Sequence, residues 1–220
     1  NNYTLSAGSE LYLQTWKESV ATGKNSKREK INLPVAYEDG YQYWQQKHRL
    51  MPSQVELLAE KMAVAWQQQP TFHLIIAVNY NELTMLADTL NSLQEQLYSA
   101  WGLTVLSHLP RPDIFDTMPE SIEWVELTDT LNKTINQSVA DAGLDWVMQI
   151  MPGDKLLPHA LLSFADAVNQ NTDNKFIYSD EVGNENRGNL LFKPDFNLDL
   201  LRSTSYIGRS AIIRRDAFET

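Results

Sequence analysis

The chain has 220 residues, a formal net charge of −10 at pH 7, a hydrophobic content of 43% and no cysteine. The lack of cysteine excludes disulfides, zinc-thiolate sites and a cysteine nucleophile. The negative charge argues against general nucleic-acid binding, because such binding needs Lys and Arg to neutralise phosphates. No apolar run approaches the roughly 18 to 20 residues that span a bilayer, and no secretory signal pattern opens the chain. The composition therefore predicts a cytoplasmic protein without a transmembrane segment.

Residues 1–69 carry the weakest pattern and are predicted to form a partly helical N-terminal extension. The basic run from Lys24 to Lys30 is a solvated linker or, alternatively, an anion-binding patch, and its breaker-rich composition favours the linker. Ser53, with Glu56 three residues later, predicts a capping box at the start of a helix that runs to Trp66.

From residue 70 onward, short apolar runs alternate with helical patterns. Phe72–Val78 is a continuous apolar run with β-branched residues, as expected for a strand buried on both faces. Further strands are predicted at Leu103–Leu106, Ile122–Leu127, Trp146–Ile150 and Phe176–Tyr178. The intervening helices are predicted from an apolar stripe of Leu86, Leu90, Leu93 and Leu97, from a cap at Thr128 or Asp129 before a run to Ala142, and from inward-facing Leu157, Leu161, Phe164, Ala165 and Val168. This alternation predicts an α/β domain with a mainly parallel sheet.

The α/β domain is assigned to residues 70–220. The chain opens with Asn1 rather than Met, and it stops at Thr220 inside a predicted element. We therefore expect a piece of a longer protein, in which this domain is truncated at its C-terminus.

The stretch Leu144–Leu161 contains the junction at which we expect a ligand. Its strand ends at the turn Met151–Asp154, and a helix follows. In open α/β sheets, ligands bind just outside the carboxyl ends of the strands. Asp154 is the one carboxylate of the turn. It is either a metal ligand or a turn residue that caps the next helix, and local chemistry favours the second role.

Several short segments occur in a fixed order between Tyr41 and Phe218. They are Ile75–Glu82; Ser92, Leu93, Gln96, Tyr98 and Trp101; Asn136 and Ala142 before Trp146; Leu156, Pro158, Ala160 and Leu161; Tyr178–Glu181; Phe192–Phe196; Tyr206–Gly208; and Arg214 with Arg215. In this order and spacing they resemble the family-2 glycosyltransferases of bacterial surface-polysaccharide synthesis. Those enzymes have the GT-A fold and move a sugar from a nucleotide-sugar donor to an acceptor.

The resemblance implies a Rossmann-like GT-A domain with a mainly parallel sheet flanked by helices, preceded by the helical extension. It also implies a UDP- or dTDP-type nucleotide-sugar, a carbohydrate acceptor that is a polysaccharide or lipid-linked, and a location in the cytoplasm or at the inner face of the membrane. The family's cofactor is Mg²⁺ or Mn²⁺, held by the first and third positions of an Asp-x-Asp-Asp turn. Here those positions fall on Met151 and Gly153, so the motif is degenerate and only Asp154 remains. The end of the second strand, acidic in the family, reads Ser107 to Pro110 without a carboxylate.

The resemblance assigns seven residues to the nucleotide-sugar site. Asn79 and Asn81 are expected at the base and ribose, and Asp154 and Asp180 at the diphosphate, with Asp154 also the one, weak, metal ligand. No residue is assigned as catalytic. The full set is Asn79, Asn81, Asn136, Asp154, Asp180, Glu181 and Lys193.

Two pairs within or near this set leave alternatives. Adjacent side chains on an extended segment point to opposite sides, so at most one of Asp180 and Glu181 faces the cleft. Lys193 and Arg187 are candidates to bind the diphosphate in place of a metal ion, although most surface Lys and Arg side chains have no such role.

Three functions compete at this stage. The first is a glycosyltransferase-like domain whose activity depends on whether the missing metal pair is replaced. The second is a non-catalytic GT-A domain that serves as a binding or scaffolding module in a larger glycosylation protein. The third is an ordinary α/β binding domain.

Overall fold

The structure is a computed structural model that describes residues 51–183 and 190–219. The chain divides into two compact units, Asn1–Gly40 and Tyr41–Thr220, and the described residues all belong to the second unit. The predicted linker Lys24–Lys30 and Arg187 lie outside the described residues. The predicted domain boundary between residues 69 and 70 stays a prediction.

The described residues form six α-helices, eight strands and two 3₁₀ turns. The helices are α1 (Pro52–Val64), α2 (Leu83–Gln94), α3 (Leu131–Ala142), α4 (Ala160–Gln170), α5 (Leu198–Ser203) and α6 (Arg215–Phe218). The strands are β1 (Phe72–Ala77), β2 (Trp101–Ser107), β3 (Ile122–Glu126), β4 (Trp146–Ile150), β5 (Phe176–Tyr178), β6 (Glu181–Val182), β7 (Leu190–Leu191) and β8 (Ala211–Arg214). The 3₁₀ turns are Tyr80–Glu82 and Asp113–Thr117. Within the described ranges, every helix is too short or too polar to cross a membrane.

Six strands form one sheet in the order β3-β2-β1-β4-β8-β5. The pairs β3–β2, β2–β1 and β1–β4 are parallel, whereas β8 runs antiparallel to both of its neighbours. Strands β6 and β7 form a separate antiparallel pair. The predicted α/β fold with a mainly parallel sheet is confirmed. The insertion of β8 between β4 and β5 was not predicted.

The core lies on both faces of the sheet. On one face, α2 and α4 pack their apolar stripes against β1, β2 and β4; this set includes Leu74, Val105, Met148, Leu93, Leu161 and Phe164. On the other face, α3 packs Ile135 and Val139 against Ile75, Leu106 and Val147. Side chains of β1 therefore alternate between two buried faces, which explains the continuous apolar run.

Helix α1 is joined to α4 by polar contacts. Lys61 Nζ lies 2.6 Å from Asp166 Oδ1, to which Trp66 Nε1 also donates at 3.1 Å. The predicted cap at Ser53 is wrong by two residues. The helix begins at Pro52 with Met51 as its N-cap, because Pro suits the first helical position and Gln54 Oε1 accepts the Met51 N–H at 2.8 Å.

Three other predicted details differ in the structure. Leu97 and Leu157 are exposed rather than part of the core stripes. The chain leaves its helical path at both places, since Leu97 N donates to Pro158 O and Gln96 Nε2 donates to Leu157 O. Helix α3 has its N-cap at Thr130, one residue after the later predicted position.

His73 is a buried polar residue of β1. Its Nε2 lies 2.8 Å from Thr104 Oγ1 on β2, and its side chain is 2% exposed. Among the described residues, Nδ1 has no hydrogen-bond partner. Burial lowers the pKa of His73 to about 4, so the folded chain holds this imidazole neutral.

We expect His73 to make the folded state less stable at acidic pH. Between pH 6.5 and about 4 the unfolded chain binds a proton at this imidazole that the folded chain does not, so stability falls as pH falls. The difference amounts to about 3 kcal/mol, at about 1.4 kcal/mol per pKa unit. Urea unfolding from pH 7 to 4 should show a shallower pH dependence for His73→Gln than for the native chain.

The control is His108→Gln on the exposed residue that follows β2. This variant keeps His73 and should keep the native pH dependence. Parallel stability curves for native and His73→Gln chains would contradict the prediction.

Candidate functional site

The candidate site lies at the carboxyl ends of β1 and β4, where the turn Met151–Asp154 begins. The turn is closed on itself by two hydrogen bonds, from Asp154 N to Met151 O and from Met151 N to Asp154 Oδ2, both of 2.9 Å. It is also attached to α2, because Gly153 N donates to Met85 O at 3.1 Å and to Thr89 Oγ1 at 2.9 Å. Hydrogen bonds from the backbone N–H groups of the turn, to both backbone and side-chain oxygens, therefore fix its shape.

Gly153 occupies a position that only glycine suits. Its φ is +92°, and a Cβ added there would lie 2.8 Å from Met85 Cε. Residues with a side chain rarely adopt this backbone region, and the flexible end of the Met85 side chain would also have to move. Gly153 was assigned to the third position of the family's metal-binding turn, and its positive φ would strain any carboxylate residue placed there.

Asp154 is bound by an arginine that the sequence analysis did not single out. Arg209 Nε donates to Asp154 Oδ2 at 2.9 Å, and Arg209 Nη2 donates to Asp154 Oδ1 at 2.7 Å. The hydrogen bonds that Arg209 donates to Asp154, and the charges of Asp154 and Glu181, raise the pKa of Arg209 despite partial burial. The result is a bidentate ion pair at the mouth of the β4 turn.

The position of Arg209 follows from the strand order. Strand β8 pairs antiparallel with β4, with Trp146 opposite Arg214 and Val147 opposite Ile213. The residues that precede β8 are therefore carried to the carboxyl end of β4. Gly208, with φ +65°, turns the chain immediately before Arg209.

Asp180, Glu181 and Lys193 lie together beside this pair. Asp180 Oδ1 accepts the backbone N–H of Lys193 at 2.7 Å, while Glu181 Oε2 lies 3.4 Å from Lys193 Nζ. The Lys193 ammonium also donates to the carbonyl of Ile207, and its side chain is only 3% exposed. We name Asp154, Arg209, Glu181 and Lys193 the charge cluster. Lys193 is committed to this cluster and to the loop before Gly208.

The three asparagines lie away from the charge cluster. Asn79 follows β1 by two residues, and its N–H and Nδ2 both donate to Glu82 Oε2, at 2.9 and 3.1 Å. Asn81 is exposed in the same 3₁₀ turn. Asn136 is exposed on α3, and among the described residues no hydrogen bond or ion pair joins it to the β4 turn. Asn79 and Asn81 thus share the sheet edge with Asp154, whereas Asn136 is held on a separate helix.

The described residues form no ready-made site for a divalent cation. Within residues 51–183 and 190–219, no group of three or more His, Cys, Asp or Glu side chains could hold a metal ion. Mg²⁺ and Mn²⁺ prefer several hard oxygen ligands, whereas Met151 offers a thioether and Asp154 already binds Arg209 through both oxygens. The role of Asp154 as a metal ligand stays a prediction.

Solved structures and curated relatives agree with this architecture. Crystal structures of residues 1–349 of S. aureus TarS, a GT-A glycosyltransferase, match at a TM-score of 0.53 and 17% identity, over 66% of this chain and 47% of that chain. The TarS complex with UDP-GlcNAc matches at a TM-score of 0.53 and 17% identity, over 66% of this chain and 45% of that chain. The TarS complex with UDP matches at a TM-score of 0.52 and 16% identity, over 66% of this chain and 47% of that chain.

This chain has the GT-A fold. At this level of identity the likeness shows the fold, and the predicted GT-A class is confirmed by it. No protein-family model matches the chain.

Two curated proteins match this chain in sequence. O-antigen biosynthesis protein RfbC of Myxococcus xanthus is 27% identical over 170 residues, which are 72% of this chain and 13% of that protein. The uncharacterised protein y4gI of Sinorhizobium fredii is 21% identical over 190 residues, which are 81% of this chain and 20% of that protein. The chain thus matches a small part of each relative. The sequence analysis predicted a glycosyltransferase-like domain, and this prediction is confirmed.

We expect Gly153→Asp to destabilise the domain without creating a metal site. The positive φ and the contact with Met85 should together cost about 1–3 kcal/mol. Urea unfolding measures the loss, and calorimetry with Mn²⁺ should show no gain in binding.

Gly153→Ala is the matched control, because it adds the Cβ without the charge. It should lose about as much stability as Gly153→Asp. A Gly153→Asp chain that is as stable as the native chain, or that binds Mn²⁺ tightly, would contradict this reading of the turn.

Proposed function

We propose that this chain is the nucleotide-sugar-binding part of a glycosyltransferase of bacterial surface-polysaccharide synthesis. The observation that carries the proposal is the sequence match between 72% of this chain and the O-antigen biosynthesis protein. The fold supports it, because TarS, which shares the fold, was solved with UDP and with UDP-GlcNAc. We extend the proposal to a UDP- or dTDP-type donor and to a location in the cytoplasm or at the inner face of the membrane.

The donor is proposed to lie across the carboxyl ends of β1 and β4. Asn79 and Asn81 would contact the base and ribose from the turn after β1, and Asn136 would approach from α3. The diphosphate would lie over Asp154 and Asp180. Glu181 and Lys193, which form an ion pair with each other, would lie beside the diphosphate.

The proposed reaction is a displacement at the anomeric carbon of the sugar. The acceptor hydroxyl, on a polysaccharide or a lipid-linked glycan, forms the new glycosidic bond and loses its proton. The bond from the anomeric carbon to the diphosphate breaks, and the nucleoside diphosphate leaves with the electron pair. Positive charge is needed where the leaving group develops negative charge.

We expect titration calorimetry of the chain to show micromolar binding of UDP or UDP-GlcNAc. dTDP and dTDP-glucose test the alternative donor type, and inorganic phosphate is the control ligand. Absence of binding by every nucleotide, with and without Mn²⁺, would overturn the proposed function. Nucleotide binding without sugar transfer to any acceptor fraction would favour the non-catalytic module.

Asn81→Ala should weaken UDP binding by about threefold to tenfold, which corresponds to the loss of one hydrogen bond of about 0.7–1.4 kcal/mol. The matched control is Asn91→Ala, an exposed asparagine on α2 that is outside the proposed site. Equal affinities for the two variants would remove Asn81 from the site.

A further inference from the structure

The Asp154–Arg209 pair occupies the turn at which the family's metal ion would bind. Three observations at this place concern the same question, namely which group offers positive charge to the donor. Gly153 carries no ligand and has a φ that disfavours a side chain, Asp154 has both oxygens engaged, and Arg209 lies directly against Asp154. These residues do not suit the Mg²⁺ or Mn²⁺ ion expected for the family. Another cation must therefore supply the positive charge beside the donor diphosphate.

We infer that Arg209 binds the donor diphosphate directly and that this binding needs no divalent cation. The inference rests on the proposed function, since it names the group that holds the donor at the same site. Asp154 then acts as a positioning residue that orients the guanidinium.

The guanidinium has donors to spare. Arginine carries five N–H groups in a planar arrangement, and the pair with Asp154 uses Nε and one N–H of Nη2. Among the described residues, no hydrogen bond is made by Nη1. The side chain of Arg209 is 56% exposed, so a ligand can reach it from solvent. The second edge of the guanidinium matches two phosphate oxygens in bidentate fashion.

Arg209 is the cation of the charge cluster best placed for this role. Lys193, the other candidate, is 3% exposed and bound to Glu181 and to the Ile207 carbonyl. Releasing it would leave Glu181 without its ion partner, which is costly for a group of limited exposure. Arg209 does not have to leave Asp154 to bind a phosphate, because it can keep this ion pair while its remaining N–H groups bind the phosphate oxygens.

The surrounding carboxylates set the expected strength of binding. Asp154 and Glu181 face Arg209 and partly neutralise its charge, so the cluster attracts a diphosphate less than a divalent ion would. The geometry is fixed in advance, because Met151 N holds Asp154 and Asp154 holds the guanidinium. The guanidinium therefore loses little conformational entropy when it binds the diphosphate. We therefore expect modest affinity that falls as ionic strength rises.

The test is calorimetry of the full chain with UDP and UDP-GlcNAc, once in EDTA and once with Mn²⁺. The native chain should bind within twofold of the same affinity under both conditions. Arg209→Gln should weaken binding at least tenfold in EDTA, and Arg209→Lys should fall between the two because it keeps the charge but loses the fork. Circular dichroism and thermal unfolding establish that each variant is folded. Arg209→Lys keeps the test available if Arg209→Gln does not fold.

The control variant is Arg202→Gln, an exposed arginine on α5 that pairs with Asp199. It should bind UDP as the native chain does. Uridine separates a phosphate contact from a general loss of structure: any uridine binding seen by ligand-detected NMR should be equal in native and Arg209→Gln chains.

Two results would overturn the inference and leave the proposed function standing. The first is native binding that requires Mn²⁺, and the second is a folded Arg209→Gln chain that binds UDP as tightly as the native chain in EDTA. No nucleotide binding by the native chain under either condition would instead overturn the proposed function, and this inference with it.

Discussion

The attachment of the β4 turn to helix α2 is the constraint on which the candidate site depends. Gly153 N is shared between Met85 O and Thr89 Oγ1. The turn closes through the bond from Asp154 N to Met151 O and through the Asp154 carboxylate, which accepts from Met151 N. These bonds satisfy the backbone donors of the turn and fix its path, and two of them need the side chains of Asp154 and Thr89. The GT-A scaffold is thus kept at this junction while its side chains offer one carboxylate.

That one carboxylate determines the electrostatics of the sheet edge. The chain carries a net charge of −10, yet the charge cluster alternates acid and base: Asp154 pairs with Arg209, and Glu181 pairs with Lys193. A nearly buried ammonium such as Lys193 must be paired, because an unpaired charge of low exposure is costly. Lys193 therefore supports the loop before β8, and Arg209 is the member of the cluster that remains open to solvent. Burial decides which cation is structural and which is available.

Much of the fold could be predicted from the sequence, because apolar spacing reports burial. Strands β1 to β4 followed from short apolar or alternating runs, helices α2 and α4 from apolar residues at helical spacing, and α3 from a cap signal. Strand β5 was predicted with its exact ends. The place of β8 could not be predicted, since four residues carry no signal of their neighbours and pairing between β4 and β8 spans more than 60 residues. Arg209 was missed for the same reason. It lies 55 residues from Asp154, and only the antiparallel pairing of β8 brings the two together. The available signal was Asp154, the one carboxylate in its turn, which indicates that a cation from another part of the chain pairs with it.

An arginine at this place differs in kind from a metal ion. A bound ion joins the site from solution, and its ligands must be free to receive it. The guanidinium of Arg209 belongs to the chain, and the pair that holds it also joins the loop before β8 to the turn after β4. A planar group can serve both partners at once, with one edge for Asp154 and the other for a phosphate, which a compact ammonium cannot do with fixed geometry. On the proposed role, the positive charge is in position before the donor arrives, and the contact that orients it is the same contact that helps to hold β8 beside β4.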